Sequence, residues 1–326
     1  MTVPRRAKLT KIVLVLALFA PPSLAQNYPS KSIRVIVPFG AGGPSDYLVR
    51  AVGVKLAEAW GQQLIVDNRT GANGVVGTEL AARAAPDGYT LGMATNGTHG
   101  INASLYAKLP YDTVKDFAPV TRIAIAPYLL IAHPSLPVRG VKDLIALARS
   151  RPGELTWSYG GSPSQLAVEL FKNTAGILLI AVPYKGNAPA ITAAISGEVS
   201  LSWGNVAASL PHIKAGRLRA LGVGSLWRSV AAPEVPTIAE AGMVGFTGYE
   251  AGAWYGVIAP AATPRAIIER LNGEFVRILK LPEVQQRLRG EAYDIFADTP
   301  EQFAAAIRAE VAKWAPIVKQ AGLRAD

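Results

Sequence analysis

Two glycine-rich stretches carry the residues best suited to chemistry, and that chemistry belongs to the main chain. Gly40, Gly42 and Gly43 lie in GAGGPSD, between an apolar run and Asp46, and Gly160 and Gly161 open the similar GGSPSQ. Glycines at such turns let a ligand approach the backbone closely. A proline just beyond them, Pro44 or Pro163, suits the first turn of a helix. A helix start presents unpaired N–H groups and the positive end of the macrodipole, a combination that favours an anion. Both stretches therefore read as anion cradles.

Side-chain chemistry is poorly represented by comparison. GAGGPS approaches the dinucleotide fingerprint but has Ser45 at its sixth position, and no phosphate-loop pattern ending in Gly-Lys-Ser/Thr occurs. GGSPS resembles a nucleophile elbow around Ser162 only loosely, because the closing glycine is missing and Pro163 follows the serine. His99, His133 and His212 fall in no metal-ligand spacing, and the chain has no cysteine, which removes thiolate zinc sites, disulfides and cysteine nucleophiles. The reading is no enzyme, no catalytic residue, no metal and no cofactor; an exported α/β hydrolase using Ser162 is the alternative from another class. Asp46 reads first as a cap in the opening turn of its helix and second as a ligand contact.

The elements that must position these loops follow from periodicity. Ile33 and residues 35–37 form a β-branched strand, and Leu48, Val52, Leu56 and Trp60 recur every fourth residue as one apolar helix stripe. Strands are expected at residues 63–66, 89–95, 128–132, 155–159, 180–183, 199–203, 218–224 and 254–258, with helices between most of them. Residues 96–100, NGTHG, read as a polar loop at a strand's carboxyl end, where open α/β sheets bind ligands. Ser162 and Gln165 fit a capping box with Pro163 at the first helical position. Phe303, Ile307, Val311, Trp314 and Val318 form the core-facing stripe of a last helix. Regular alternation of strand and helix gives an α/β class with mostly parallel sheets.

Composition bounds the setting. Half of the 326 residues are hydrophobic, enough for a large core in one or two domains. Four cations precede the apolar run 12–20, and Ser23, Leu24 and Ala25 follow, which reads as a signal peptide over 1–25 cleaved near Ala25. Nine apolar residues are too few to span a bilayer, which takes about 20. Removing the leader takes four of the 33 Lys and Arg and leaves 29 against 23 acids, a net +6 with no clustered basic run, so nucleic acid is not the expected partner.

Several segments together then resemble one family. PFGAGGPSD at 38–46, DNRTGANGVVG at 67–77, APDGY at 85–89, THGIN at 98–102, LPYDTVKDFAP at 109–119, VPYKG at 182–186, SLPHIKAGRLRAL at 209–221 and VPTIAEAG at 235–242 are similar, in order, to the Bug family. These are periplasmic solute-binding receptors of tripartite tricarboxylate transporters. The resemblance implies a two-lobed periplasmic binding protein of type II (a Venus-flytrap), with lobe 1 in residues 26–127 plus 226–326 and lobe 2 in 128–225. It implies a small organic carboxylate as ligand and membrane permease subunits as partners, with a role in sensing as the other outcome for such a receptor. By position, one carboxylate pincer falls on Phe39, Ala41, Gly42, Gly43 and Asp46, and the other on Gly161, Ser162 and Ser164. Thr98, His99, Tyr184, Gly204 and Asn205 complete the expected ligand-binding set. Gly204 stands where the family has an acid, and residues 159–161 are one residue short. If the lost acid would have met an amino group, a simple carboxylate becomes the expected ligand rather than an amino acid.

Overall fold

The computed structural model describes residues 28–325; the expected signal peptide lies outside the described residues. Its architecture is α/β, and one strand organises it. Strand β4 (Phe117–Ala132) is 16 residues long, roughly 50 Å, and every other strand is arranged around its two ends. Its sequence, FAPVTRIAIAPYLLIA, is a nearly continuous apolar run, as expected for a strand covered on both faces. The strand expected at residues 128–132 marks only its final third, because Pro119 and Pro127 interrupt the strand pattern before it. Register shifts beside Pro119 accommodate the first of these prolines.

The first half of β4 carries one sheet arm. Strand β1 (Ile33–Val37) is flanked by β2 (Leu64–Asn68) and β3 (Thr90–Thr95), both parallel to it, and β9 (Gly252–Pro260) joins β3 to β4 by antiparallel pairing. The short β10 (Asp294–Ile295) closes the other edge against Ile125 and Ala124. The second half of β4 carries a matching arm. There β5 (Thr156–Tyr159) is flanked by parallel β6 (Ile180–Pro183) and β7 (Leu201–Asn205), with β7 and β8 (Arg219–Val223) antiparallel to β4 on its two sides. The outer strands are parallel, as the βα alternation requires, and the antiparallel pairs gather at the centre.

Helices cover the sheet because their apolar stripes match it. In α1 (Pro44–Trp60), Leu48, Val52 and Leu56 are buried, and Trp60 packs edge-on against Tyr28 with ring centroids 6.3 Å apart. Fully burying one such aliphatic side chain contributes about 1.5–3 kcal/mol. In the second arm Trp157 of β5 and Trp203 of β7 sit side by side, 5.6 Å between rings, with Phe171 of α5 (Ser162–Ala175) against Trp157. The last helix, α10 (Pro300–Gln320), buries the predicted Phe303, Ile307, Trp314 and Val318.

Three local expectations change. Helix α5 begins at Ser162, so Gly161 is its N-cap and Pro163 its second residue; no side-chain cap forms, and the expected capping box is absent. A complete capping box stands instead at Thr299 and Gln302, opening α10. Residues Gly97–Ile101 form one wide helical turn that continues into α3 (Asn102–Leu105), rather than an open polar loop, because Thr98 satisfies the end of β3: its hydroxyl accepts the Thr95 N–H at 3.0 Å. An unforeseen helix, α9 (Pro282–Gly290), follows α8 (Arg265–Leu279) and precedes β10.

Candidate functional site

Each arm has its strand order reverse at the strand before a glycine loop. In the first, β1 lies between β2 and β3; in the second, β5 lies between β6 and β7. Ligands bind outside the carboxyl ends of strands at such switch points. Here the two switch points face one shared cavity of about 400 Å³. From the first arm come Phe39, Pro44 and Ser45 at the start of α1, and Thr95 and Asn96 at the end of β3. From the second come Gly160, Gly161, Pro163 and Ser164 at the start of α5. Asn187, the first residue of α6 (Asn187–Ser196), and Asn205, Val206 and Ala207 at the start of α7 (Val206–Lys214) complete that side. Four helix N-termini thus open on one space.

The two cradles share a construction. Helix α1 closes its first bond from Tyr47 N–H to the Gly43 carbonyl, and α5 closes its own from Gln165 N–H to Gly161, both 2.9 Å. Proline removes one donor from each first turn, which leaves the N–H groups of Ser45 and Asp46 in one and of Ser162 and Ser164 in the other without intrahelical partners. Each loop is then pinned by the third helical residue. Gly42 N–H donates to Asp46 Oδ2 at 3.0 Å, and Gly160 N–H donates to Ser164 Oγ at 3.0 Å. Arg50 donates to both Asp46 oxygens and, as the largest influence, holds that carboxyl below its ordinary range, with the Gly42 N–H lowering it further. Ser164 also donates to the Gly161 carbonyl at 3.0 Å. Gly160 must be glycine, because a Cβ there would lie 2.2 Å from the Gly186 carbonyl carbon in the neighbouring β6–α6 turn.

The floor and far wall come from elsewhere. Ala126 and Tyr128 of β4 and Ala253 and Tyr255 of β9 form the floor, and Glu291, Ala292 and Tyr293, after α9, form the third wall. Burial pushes the Tyr128 phenol up to about 12 and Tyr255 and Tyr293 upward as well, so all three are neutral donors at neutral pH. No lysine or arginine lines the cavity among the described residues. An anion here would be held by main-chain N–H groups, amides and hydroxyls.

Of the residues expected from sequence, Phe39, Gly161, Ser164 and Asn205 line this cavity. Ser162 stands in the same turn, as the first residue of α5. Ala41, Gly42 and Gly43 lie in the loop outside the lining and shape it, with Gly42 at φ +78°, a conformation open to glycine. Asp46 and the remaining four fall outside the lining. Thr98 and His99 are fully buried: His99 packs edge-on against Phe117, its Nδ1 lies 2.9 Å from Thr98 Oγ1, and burial drives its pKa down to about 3. Tyr184 points outward and donates to Glu198 at 2.7 Å. A Cβ on Gly204 would meet Ser209 Oγ at 2.2 Å and Ile131 and Ile191 beyond it, so a side chain at 204 would enter the core behind β7. The inference drawn from a missing acid there has no geometric basis. Asn205 accepts the Ala208 N–H at 3.0 Å as the α7 cap, which leaves its amide donors for the cavity. Asn187 could have been found from the YKGN turn; Tyr128, Tyr255 and residues 291–293 had no local signal.

Residues 48–323 match the sequence profile of the family described as tripartite tricarboxylate transporter family receptor. The chain belongs to that family. A curated relative, BugT of Bordetella pertussis, is 34% identical over 325 residues, covering 97% of this chain and 99% of its own. Among solved structures, one described as a periplasmic transporter has 36% identity and a TM-score of 0.75, covering 92% of this chain and 100% of that one. An R. palustris protein solved with adipate has 37% identity and a TM-score of 0.75, covering 91% and 99%. The Bug resemblance and the two-lobed α/β fold expected from it are thereby borne out, and the family is one of receptors, not enzymes. No helix among the described residues is long and apolar enough to cross a membrane.

Proposed function

We propose that the mature chain is a periplasmic receptor that captures a small organic carboxylate between two lobes and delivers it to the permease of a tripartite transporter. The lobes in this reading are residues 26–127 with 226–326, and residues 128–225. The observation that carries it is the convergence of the α1 and α5 N-termini on one cavity that, among the described residues, has no cationic side chain. A carboxylate between them meets N–H groups of Ser45 and Asp46 on one side and of Ser162 and Ser164 on the other, with Asn205 adding an amide. Charge-assisted hydrogen bonds contribute about 1.5–3 kcal/mol each, so three or four approach the roughly 8 kcal/mol of a micromolar complex. The adipate held by the 37%-identical relative, the signal peptide expected from the sequence and the permease-linked family support the same reading.

The test is a thermal-shift screen of mono-, di- and tricarboxylates against amino acids and sugars. A ligand at 100 times its Kd stabilises the native state by about 2.7 kcal/mol, a rise of several degrees in a protein of this size. Stabilisation by carboxylates is the expected result. Stabilisation by sugars alone would overturn the proposal.

A further inference from the structure

The cavity is electrically lopsided. Helix N-termini of α1, α5, α6 and α7 meet it from two sides, and the third wall is made where α9 ends, so that one helix C-terminus and four N-termini adjoin the same space. The same wall carries Glu291, the only carboxylate side chain in the lining among the described residues. The last turn of α9 also carries Arg287, over the Tyr47 ring at 5.6 Å, and Arg289, which lines a neighbouring groove beside Trp227; neither is in the cavity lining. The charge of Glu291 reaches the buried Tyr293 phenol, where it adds to the upward push of burial and of Tyr47.

This wall is also fixed in place. Ala292 is held in the left-handed conformation, φ +57°, which side-chain-bearing residues rarely adopt. Two main-chain bonds secure the corner, Ala292 N–H to Arg289 at 2.9 Å and Tyr293 N–H to Leu288 at 3.1 Å, and Asp294 then pairs with Ile125 of β4. Between the two poles the surface is apolar and aromatic, built from Ala126, Tyr128, Val206, Ala253, Tyr255 and Tyr293.

Resting on the carboxylate reading above, we infer that Glu291 sets the ligand class: the receptor prefers monocarboxylates with a compact apolar body, and Glu291 disfavours a second carboxylate at the Tyr293 wall. The single carboxylate sits at the helix N-termini, and its body lies over the tyrosines. A second carboxylate would sit near a like charge and the negative end of α9, with no cation in the lining among the described residues to meet it. Glu291 is exposed, so water screens part of this repulsion, and the expected discrimination from this residue is on the order of three- to tenfold.

Isothermal titration calorimetry of the mature protein with benzoate and with adipate, repeated on Glu291→Gln, decides the matter. Benzoate should bind the wild type more tightly than adipate. Glu291→Gln should gain about three- to tenfold for adipate while its benzoate affinity stays within about twofold. A wild type that prefers adipate overturns the inference and leaves the carboxylate reading intact. So does a Glu291→Gln protein that melts like the wild type with an unchanged ratio of the two affinities. If neither ligand nor any other small carboxylate binds the wild type, the carboxylate reading falls, and this inference with it.

Discussion

Asp46 and Ser164 occupy the same place in the two arms: each is the third residue of its helix, and each accepts the N–H of the glycine four residues before it, Gly42 and Gly160, at 3.0 Å. The two residues of unlike charge perform one task, holding a glycine loop against the start of a helix. Asp46 therefore shapes the loop and stays outside the cavity lining.

Replacing Asp46 with Ala should cost about 1–2 kcal/mol of stability, the usual loss for a helix-start acceptor, and Asp46→Asn, which keeps an acceptor, should cost less. The Arg50 side chain is 54% exposed, so its ion pair adds little. Since the folded carboxyl titrates below its ordinary value, the contribution is present above about pH 4, the unfolded value, and is lost as pH falls through the lowered folded value. Urea denaturation between pH 2 and 7 should show an acid limb that Asp46→Asn reduces; an unchanged limb would assign it to other groups.

Gly160→Ala should disrupt the second cradle more severely. The added methyl would press into the Gly186 backbone, with Asn187 N only 2.4 Å away, and neither is the end of a flexible side chain. Overpacking of this kind costs about 1–3 kcal/mol. Affinity for any carboxylate should fall by about tenfold or more, because both the α5 and α6 starts shift from the cavity. Calorimetric melting and titration would register the two effects separately.

His99 gives a second pH signature, independent of ligand. Its folded pKa of about 3 lies below the unfolded value near 6.5, so the unfolded chain binds the proton first. Stability is then full above about pH 6.5 and declines as pH falls toward 3, with a slope of up to about 1.4 kcal/mol per pH unit. His99→Leu should flatten that slope and leave ligand affinity within about twofold, since residue 99 packs on Phe117 away from the cavity. A large loss of affinity in a protein that still folds would return His99 to the binding site.

Saturating carboxylate should also compact the molecule. Among the described residues, β4 and β9 form the cavity floor, while its walls come from both arms, an arrangement suited to hinge closure around a ligand. Small-angle X-ray scattering should record a smaller radius of gyration with ligand than without. Identical curves at saturation would count against closure on binding.

Much of the frame was legible because its signals are local. Glycine before proline, an apolar strand before it and a four-residue stripe after it identify the starts of α1 and α5 within about ten residues each, since backbone freedom, donor loss and helical period act over that distance. The family resemblance rested on eight short segments spread along the chain, of which PFGAGGPSD at 38–46 holds the first of these loops. Tertiary structure alone decided which loops meet and what stands opposite them. Tyr128 and Tyr255 reach the cavity floor through pairing of β4 with β9, whose partners Ala126 and Ala253 are far apart in the chain, and Glu291 arrives because Asp294 pairs with Ile125. His99 and Gly204 were drawn to the site by their neighbours in sequence, yet a fully satisfied strand end and the opposite face of β7 turn them into the core. Successive residues of a strand point to opposite faces, so nearness in sequence locates a strand end while packing chooses which side chains face the ligand.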